Sequence, residues 1–209
     1  FGFSEAPALD PFLLLDDFRS NEPQYYIKGF PWHPHRGIET ITYVLGGKVE
    51  HGDSMGNKGV ISSGDVQWMT AASGLLHKEY HAESFAKTGG EFQMVQLWVN
   101  LPAKDKMSAP KYQAITNDQM AKVLLEDGKS YVEVIAGKYK NQQGPANTFT
   151  EVHLQNAILE KGVKVEFDFP STNNTFLIVI EGSITVNGSD PILVDHFVEM
   201  DKKGTSFTI

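Results

Sequence analysis

The stretch His33-Pro34-His35-Arg36-Gly37-Ile38-Glu39-Thr40, taken together with Leu76-His77-Lys78-Glu79, decides what this chain is built to hold. Each stretch contains two metal-type ligands separated by one residue. In a β-strand, residues i and i+2 point to the same face. Two such strands side by side would aim three imidazoles and one carboxylate at one point, which suits a divalent metal with open coordination positions. The predicted metal ligands are His33, His35, His77 and Glu79.

The residues next to the histidine pair favour this geometry. His33 precedes Pro34, which biases the backbone of His33 toward the extended region. Pro34 has no N–H group, which suits the start of a strand. Glu39 lies an even number of residues from His35. Parity therefore predicts that Glu39 could face the same interior and hold the ligand side chains in place without binding the metal itself.

Outward from these stretches the pattern is that of an all-β protein. Residues 38–45 alternate along a run rich in β-branched and aromatic side chains. Gly46-Gly47 predicts a hairpin turn, with the return strand starting at Lys48. Turns recur about every 8–12 residues as far as Pro102, with no helical period between them, which is typical of a sandwich or barrel.

An internal repeat predicts two β units. Residues 40–49 resemble residues 175–184 in strand, glycine turn and return strand when Gly47 is aligned on Gly182. The same alignment places Asp168 opposite His33 and Pro170 opposite His35, so the second copy lacks the histidine pair. We therefore expect an N-terminal barrel with a metal site and a C-terminal barrel without metal ligands. The predicted boundaries are 1–101 for the first barrel, 102–130 for a linker or crossover, and 131–209 for the second barrel.

Composition narrows the functional classes. With 41% hydrophobic residues, 19 Gly and 10 Pro, the chain suits a turn-rich globular protein. A formal net charge of −8 disfavours direct nucleic-acid binding. The absence of cysteine excludes disulfides, thiolate metal sites and cysteine nucleophiles, and fits a reducing compartment.

No apolar run approaches the roughly 18 residues of a membrane-spanning helix. The chain starts without methionine and stops inside a strand-like run, so we expect incomplete termini and a truncated second barrel.

The motifs resemble those of the pirin family of the cupin superfamily. The spacing H-x-H-x3-E-x6-G, from His33 to Gly46, is the first cupin signature. The segment 64–77 (GDVQWMTAASGLLH) is similar to the second one, and residues 96–101 match the next strand. The resemblance covers about residues 10–101 and is looser beyond them. Ala72 stands where pirins usually have glycine, a departure that touches no ligand.

The resemblance implies a bicupin, with two tandem jelly-roll-like cupin barrels, few short helices and one mononuclear metal in the first barrel. In this family the residues that match His33, His35, His77 and Glu79 are the ligands, whereas the residue matching Glu39 is not. The usual metal is Fe(II), and a mixed nitrogen and oxygen site also suits Mn, Co, Ni, Cu or Zn. Gln96 and Phe30 lie at positions that would line the substrate pocket.

Two functional classes remain open at this stage. The first is a quercetin 2,3-dioxygenase-like oxidoreductase that uses dioxygen on flavonol-type substrates, with Glu79 supplying charge and acting as a base. The second is a metal-dependent regulatory protein, a transcriptional or metabolic cofactor that binds a protein partner without turnover. A third interpretation is a barrel that the metal only stabilises, with neither activity. The enzyme is favoured, because Glu79 and open coordination positions are more than a structural metal requires, and a structural site is normally closed and rich in thiolates. The expected location is the cytoplasm, with the nucleus as the alternative in a eukaryotic cell, and no membrane or nucleic-acid partner is expected.

Overall fold

Strands account for nearly all regular structure in residues 1–2 and 4–209, the part of the chain that the computed structural model describes. The strands are β1 (Phe12–Ser20), β2 (Phe30–His35), β3 (Ile38–Gly46), β4 (Lys48–Asp53), β5 (Lys58–Ser62), β6 (Val66–Thr70), β7 (Leu75–His81), β8 (Phe92–Asn100), β9 (Lys111–Ile115), β10 (Ala121–Leu124), β11 (Tyr131–Ala136), β12 (Lys138–Tyr139), β13 (Gln142–Gln143), β14 (Leu154–Ile158), β15 (Glu166–Asp168), β16 (Phe176–Ile178), β17 (Ser183–Ile184), β18 (Ile192–Leu193), β19 (Phe197–Glu199) and β20 (Ser206–Thr208).

Helices are few and short, as expected. Within the described residues they are α1 (Pro23–Tyr26) and α2 (Glu83–Thr88), with 3₁₀ turns at Ala6–Ala8, Ala103–Asp105 and Asn117–Gln119. Neither of these helices has the length and apolar character needed to cross a membrane. The predicted all-β class with few short helices is therefore confirmed.

Contacts divide the chain into two units whose segments alternate along the sequence. The first unit comprises residues 1–121, 134–138 and 143–154, and the second comprises residues 122–133, 139–142 and 155–209. The boundaries 1–101, 102–130 and 131–209 are sequence-based predictions and follow the motifs, whereas these units follow the packing of the folded chain.

The first unit contains two facing antiparallel sheets. One has the strand order β1-β8-β3-β6-β9 and the other the order β2-β7-β4-β5. Neither sheet closes on itself, and the arrangement is jelly-roll-like, as predicted. Thr42 of β3 donates a hydrogen bond to Glu79 of β7, which shows that these two side chains meet between the sheets.

The interior of this sandwich is layered because paired residues of antiparallel strands share a face. One layer is apolar and aromatic, and it contains Tyr26, Val44, Val49, Ile61, Phe92 and Met94. The next layer is polar. In the five-stranded sheet it places Gln96 and Gln67 on either side of Thr42, and in the facing sheet it places His51 beside Glu79. The apolar layer therefore closes one side of a polar interior.

The predicted hairpin at Gly46-Gly47 is wrong. β3 pairs with β6 and β8, whereas β4 pairs with β5 and β7, so the chain passes from one sheet to the other at this turn. Gly47 has a φ of 89°, and a Cβ atom there would lie 2.9 Å from the Phe92 ring. Glycine is required here by a change of sheet and a close approach, not by a tight hairpin.

The second unit has shorter strands. Its two-stranded ladders are β15-β20, β16-β19 and β17-β18, and the three-stranded sheet β10-β11-β14 lies mainly within it. A cluster of aromatic rings surrounds Phe167, whose centroid lies 5.3 Å from that of Tyr139 and 5.4 Å from that of Phe207. As at Gly47, the strands on either side of Gly182 belong to different ladders, in line with the predicted repeat.

Candidate metal centre

Two neighbouring strands carry the candidate site. β2 and β7 are antiparallel, with His33 opposite His77 and Phe30 opposite Glu79. The register shifts between Phe30 and His33, because three residues on β2 span the same stretch as two on β7. This irregularity leaves His33 facing His77 while Phe30 lies beside Glu79.

Three imidazoles converge at this point of the sheet. One ligand atom from each of His33, His35 and His77 lies within 4.8 Å of the other two. The ring centroids are 4.2 Å apart for His33 and His77, 4.8 Å for His35 and His77, and 4.9 Å for His33 and His35. Nitrogens at bond distances of about 2.1 Å from one ion are at most about 4.2 Å apart, so small side-chain movements would complete a metal site.

The protonation of these rings suits a metal. Burial, aided by the charge of His33, lowers the pKa of His35 to about 4. Burial, aided by the charges of His33, His35 and His51, lowers the pKa of His77 to about 3. Both rings are therefore neutral at neutral pH, and a neutral imidazole is the form that binds metal.

Unsatisfied polar atoms in the same place also fit a metal. His35 Nε2 and both ring nitrogens of His77 are buried and have no hydrogen-bond partner among the described residues. Buried polar atoms without partners are rare and call for a bound ion or water. His33 Nδ1 lies 2.7 Å from the carbonyl oxygen of Pro31. If Nδ1 carries the proton of that hydrogen bond, Nε2 keeps the lone pair for a ligand.

Glu79 lies in the same interior but is not part of the close histidine group. It is 2% exposed. Thr42 Oγ1 donates to Oε1 at 3.1 Å, and Gln96 Nε2 donates to Oε2 at 3.4 Å. Burial raises the pKa of Glu79, against the opposing effects of the Thr42 hydrogen bond, the charge of His33 and the Gln96 hydrogen bond. A nearby dication would hold this group ionised.

The two predicted pocket residues both lie beside Glu79. Gln96 reaches it by the hydrogen bond described above, from the opposite sheet. Phe30 is 40% exposed and pairs with it across β2 and β7. Phe30 and Glu79 also line a narrow cleft whose remaining walls are mainly apolar. The other lining residues are Gly29, Val49, Tyr80, His81, Phe92 and Met94.

Glu39 is not brought to this site by the contacts that the structure describes. It is fully buried, and it accepts a hydrogen bond from Thr70 at 2.7 Å. It lies an odd number of residues from Thr42 on β3, so it faces the other side of the five-stranded sheet. The parity count from His35 fails because Gly37, with a φ of 72°, separates β2 from β3 and the two strands belong to different sheets.

Two residues of the site were missed by sequence reasoning. Thr42 lies on β3 and holds a Glu79 oxygen, and Trp98 lies on β8 and donates to Gln96 Oε1 at 3.1 Å. The Trp98 ring also packs edge-on against His35, with centroids 5.0 Å apart and planes at 82°. Trp98 could have been found from its i+2 spacing from Gln96, but Thr42 carried no such signal.

Comparison with known proteins points to one family. Residues 1–99 match the family model described as Pirin. A protein of Pseudomonas aeruginosa named "Putative quercetin 2,3-dioxygenase" is 46% identical over 183 residues, covering 85% of this chain and 63% of that protein. The chain thus spans less than two thirds of the length of this relative.

Solved structures share the fold. The crystal structure of quercetin 2,3-dioxygenase from Acinetobacter baumannii is 40% identical, with a TM-score of 0.93, and the match covers 100% of this chain and 73% of that one. The structure of a bacterial pirin from Escherichia coli in complex with nickel(II) has a TM-score of 0.66 at 20% identity, covering 96% of this chain and 77% of that one. At that identity the second match shows the fold alone.

Proposed function

This chain belongs to the pirin family, and from that premise we propose that it is a metal-dependent dioxygenase acting on flavonol-type substrates. The proposed metal ligands are His33, His35, His77 and Glu79. The observation that carries the proposal is the convergence of three imidazole nitrogens within 4.8 Å beside a buried carboxylate. The names of the relatives from Pseudomonas and Acinetobacter support the reaction class and the flavonol substrate.

Three features of these residues favour metal binding at this site. Burial keeps His35 and His77 neutral, so their lone pairs are free at neutral pH. Thr42 and Gln96 each donate to one oxygen of Glu79 and so hold its carboxylate in one plane. His33 is partly exposed, which leaves this side of the group open to an incoming ligand.

A bound divalent metal would supply Lewis acidity, lowering the pKa of a coordinating hydroxyl group of the substrate. Iron(II) is the metal we propose, with Mn, Co, Ni, Cu and Zn as alternatives, because neutral imidazoles and one carboxylate suit all of these ions. Phe30, which is partly exposed beside Glu79, would contact part of an aromatic substrate.

The test is oxygen uptake by the purified, iron-loaded chain with a panel of flavonols that includes quercetin. We expect uptake that depends on both iron and flavonol, and that is lost in His33→Ala. A matched control is His196→Ala, which changes an exposed histidine of the second unit and should leave uptake intact. If the wild-type chain binds iron but consumes no oxygen with any flavonol, the proposed activity is wrong. In that case, partner binding that requires the metal would identify the regulatory function instead.

A further inference from the structure

Trp98 contacts the candidate metal centre at two points without being a candidate ligand. Its ring packs edge-on against His35, and its Nε1–H donates to Gln96. We propose that Trp98 and Thr42 are positioning residues, which together fix the orientation of Gln96 and through it hold Glu79 in a single ligand-ready geometry. This inference rests on the proposed metal function. It adds the residues that hold the Glu79 carboxylate in position for the metal.

The indole decides which way the Gln96 amide points. An indole N–H can only donate, so the oxygen of the Gln96 amide must face Trp98, where Oε1 lies 3.1 Å from Nε1. The amide nitrogen must then face the opposite direction, where it lies 3.4 Å from Glu79 Oε2. In the flipped orientation two donors would meet at Trp98 and two acceptors would meet at Glu79. Trp98 therefore selects the orientation in which Gln96 donates to the carboxylate.

Thr42 completes the arrangement from the neighbouring strand. Gln96 Nε2 lies 3.4 Å from Thr42 Oγ1, and Thr42 Oγ1 lies 3.1 Å from Glu79 Oε1. When the hydroxyl accepts from Gln96, its single proton remains available for Glu79. Each carboxylate oxygen thus has its own donor. All of these hydrogen bonds run in one direction, from Trp98 through Gln96 and Thr42 to Glu79.

The effect of these hydrogen bonds should be large because the carboxylate end of the network is enclosed, whereas Gln96 and Trp98 are partly buried. Thr42 is 1% exposed and Glu79 is 2% exposed, so neither is well placed to replace a lost partner with bulk water. Removing a group that orients a metal ligand typically lowers metal affinity by about 10–100-fold. A residue that only fills space would instead change the stability of the fold and leave the metal environment unchanged.

The test measures cobalt(II) binding to the full chain by chelator competition, together with the visible spectrum of the bound cobalt. Trp98→Phe keeps a ring against His35 but removes the N–H, and Thr42→Val keeps the shape but removes the hydroxyl. We expect each change to lower affinity by about 10-fold and to alter the cobalt spectrum. Thr42→Ser restores the hydroxyl and should bind cobalt within about twofold of the wild type.

Trp68→Phe is the matched control for the loss of an indole N–H group. Trp68 is fully buried and pairs with Ile41, on the face of the five-stranded sheet opposite Thr42. It should leave cobalt affinity and spectrum unchanged. In a Gln96→Met background, Trp98→Phe should cause no further loss of affinity, because the chain of hydrogen bonds is already broken. An unchanged spectrum in Trp98→Phe, or additive losses with Gln96→Met, overturns the proposal.

A wild-type chain that binds no cobalt would contradict the proposed function and would leave the hydrogen-bond chain to be tested without metal. The readout is then the indole N–H signal of Trp98 in the NMR spectrum of the metal-free protein. Slow exchange of this proton with solvent, lost in Gln96→Met, supports the proposal. A signal that Gln96→Met does not change overturns it.

Discussion

His77, one of the proposed metal ligands, is a buried side chain that should destabilise the metal-free fold. It is 1% exposed, and both of its ring nitrogens lack hydrogen-bond partners in the described part of the chain. A buried polar atom without a partner costs about 1–3 kcal/mol. The proposed role in metal binding would account for this histidine, whereas packing would not, since an apolar side chain would fill the same space without this cost.

His77→Leu should therefore separate stability from metal binding. We expect the metal-free variant to be more stable than the metal-free wild type by about 1–3 kcal/mol, because the unpaired nitrogens are gone. Metal affinity should fall by at least about 100-fold. Urea denaturation and chelator competition measure the two effects. The exposed His196→Leu serves as control, and a destabilised metal-free His77→Leu would contradict the prediction.

The same histidines make the stability of the metal-free protein depend on pH. The pKa values of about 4 for His35 and about 3 for His77 lie below the unfolded value of 6.5, so the unfolded state binds more protons between these limits. Stability should be highest above pH 6.5 and should fall as the pH drops toward 4. We expect a loss of at least about 2 kcal/mol from pH 7 to pH 4.

Urea denaturation at a series of pH values measures this dependence. Glu79 has the opposite effect on the pH dependence of stability. Its pKa is raised in the folded state, so the folded state favours the protonated carboxyl group and stability falls as the pH rises above 4.5. His77→Leu isolates the contribution of this histidine to the pH dependence. The variant should lose less stability than the wild type between pH 6.5 and pH 4. An identical pH profile in the wild type and in this variant would show that the buried ring does not titrate as described.

Local spacing made some residues of the site predictable and hid others. His33 and His35 on one strand, and His77 and Glu79 on another, are visible because an i+2 spacing is a local signal. Thr42 was hidden because its contact with Glu79 depends on which sheets face each other. Glu39 was misplaced for a related reason, because the parity count assumed a strand that Gly37 interrupts.

At the scale of single elements, the loop before β7 contains a strained position. Ala72 has a φ of 45°, in the left-handed region that costs a non-glycine residue roughly 1–2 kcal/mol. Its carbonyl accepts a hydrogen bond from the Gly37 amide at 2.7 Å, which ties this loop to the turn beside His35. Glycine would adopt this conformation without the strain that a Cβ atom causes.

Ala72→Gly should relieve that strain. We expect an increase of up to about 1 kcal/mol in the free energy of unfolding, since the gain in the folded state exceeds the added flexibility of the unfolded chain. Thermal unfolding measures the change. Ala71→Gly is the control, because Ala71 is equally buried but has no positive φ, and it should be destabilising. Equal destabilisation by both changes would contradict the prediction.

The elements also show where sequence patterns stop being informative. Alternation from Ile38 onward predicted strand β3 correctly, because the pleat imposes a period of two. The turn at Gly46-Gly47 was predicted as a hairpin but is a change of sheet, since two glycines permit either path. The register shift between Phe30 and His33 has no sequence signal, because it depends on pairing with β7.

For the whole molecule, all four proposed ligands lie in the first unit. Metal binding to the folded state should therefore stabilise that unit by about 2.7 kcal/mol at a metal concentration 100 times the dissociation constant. Hydrogen-exchange mass spectrometry should show the largest gain of protection in β2 and β7. Peptides from residues 155–209 of the second unit are the internal control. Equal gains in both units would contradict this prediction.

The strand order β2-β7-β4-β5 makes β2 an edge of its sheet, and β2 carries two of the three clustered histidines. An edge strand can detach locally without unfolding of the whole domain. Metal would then leave by peeling of β2, a first-order event that precedes any encounter with a competing chelator. The extraction rate should therefore reach a plateau as chelator concentration rises, and that plateau would be the opening rate of a single strand.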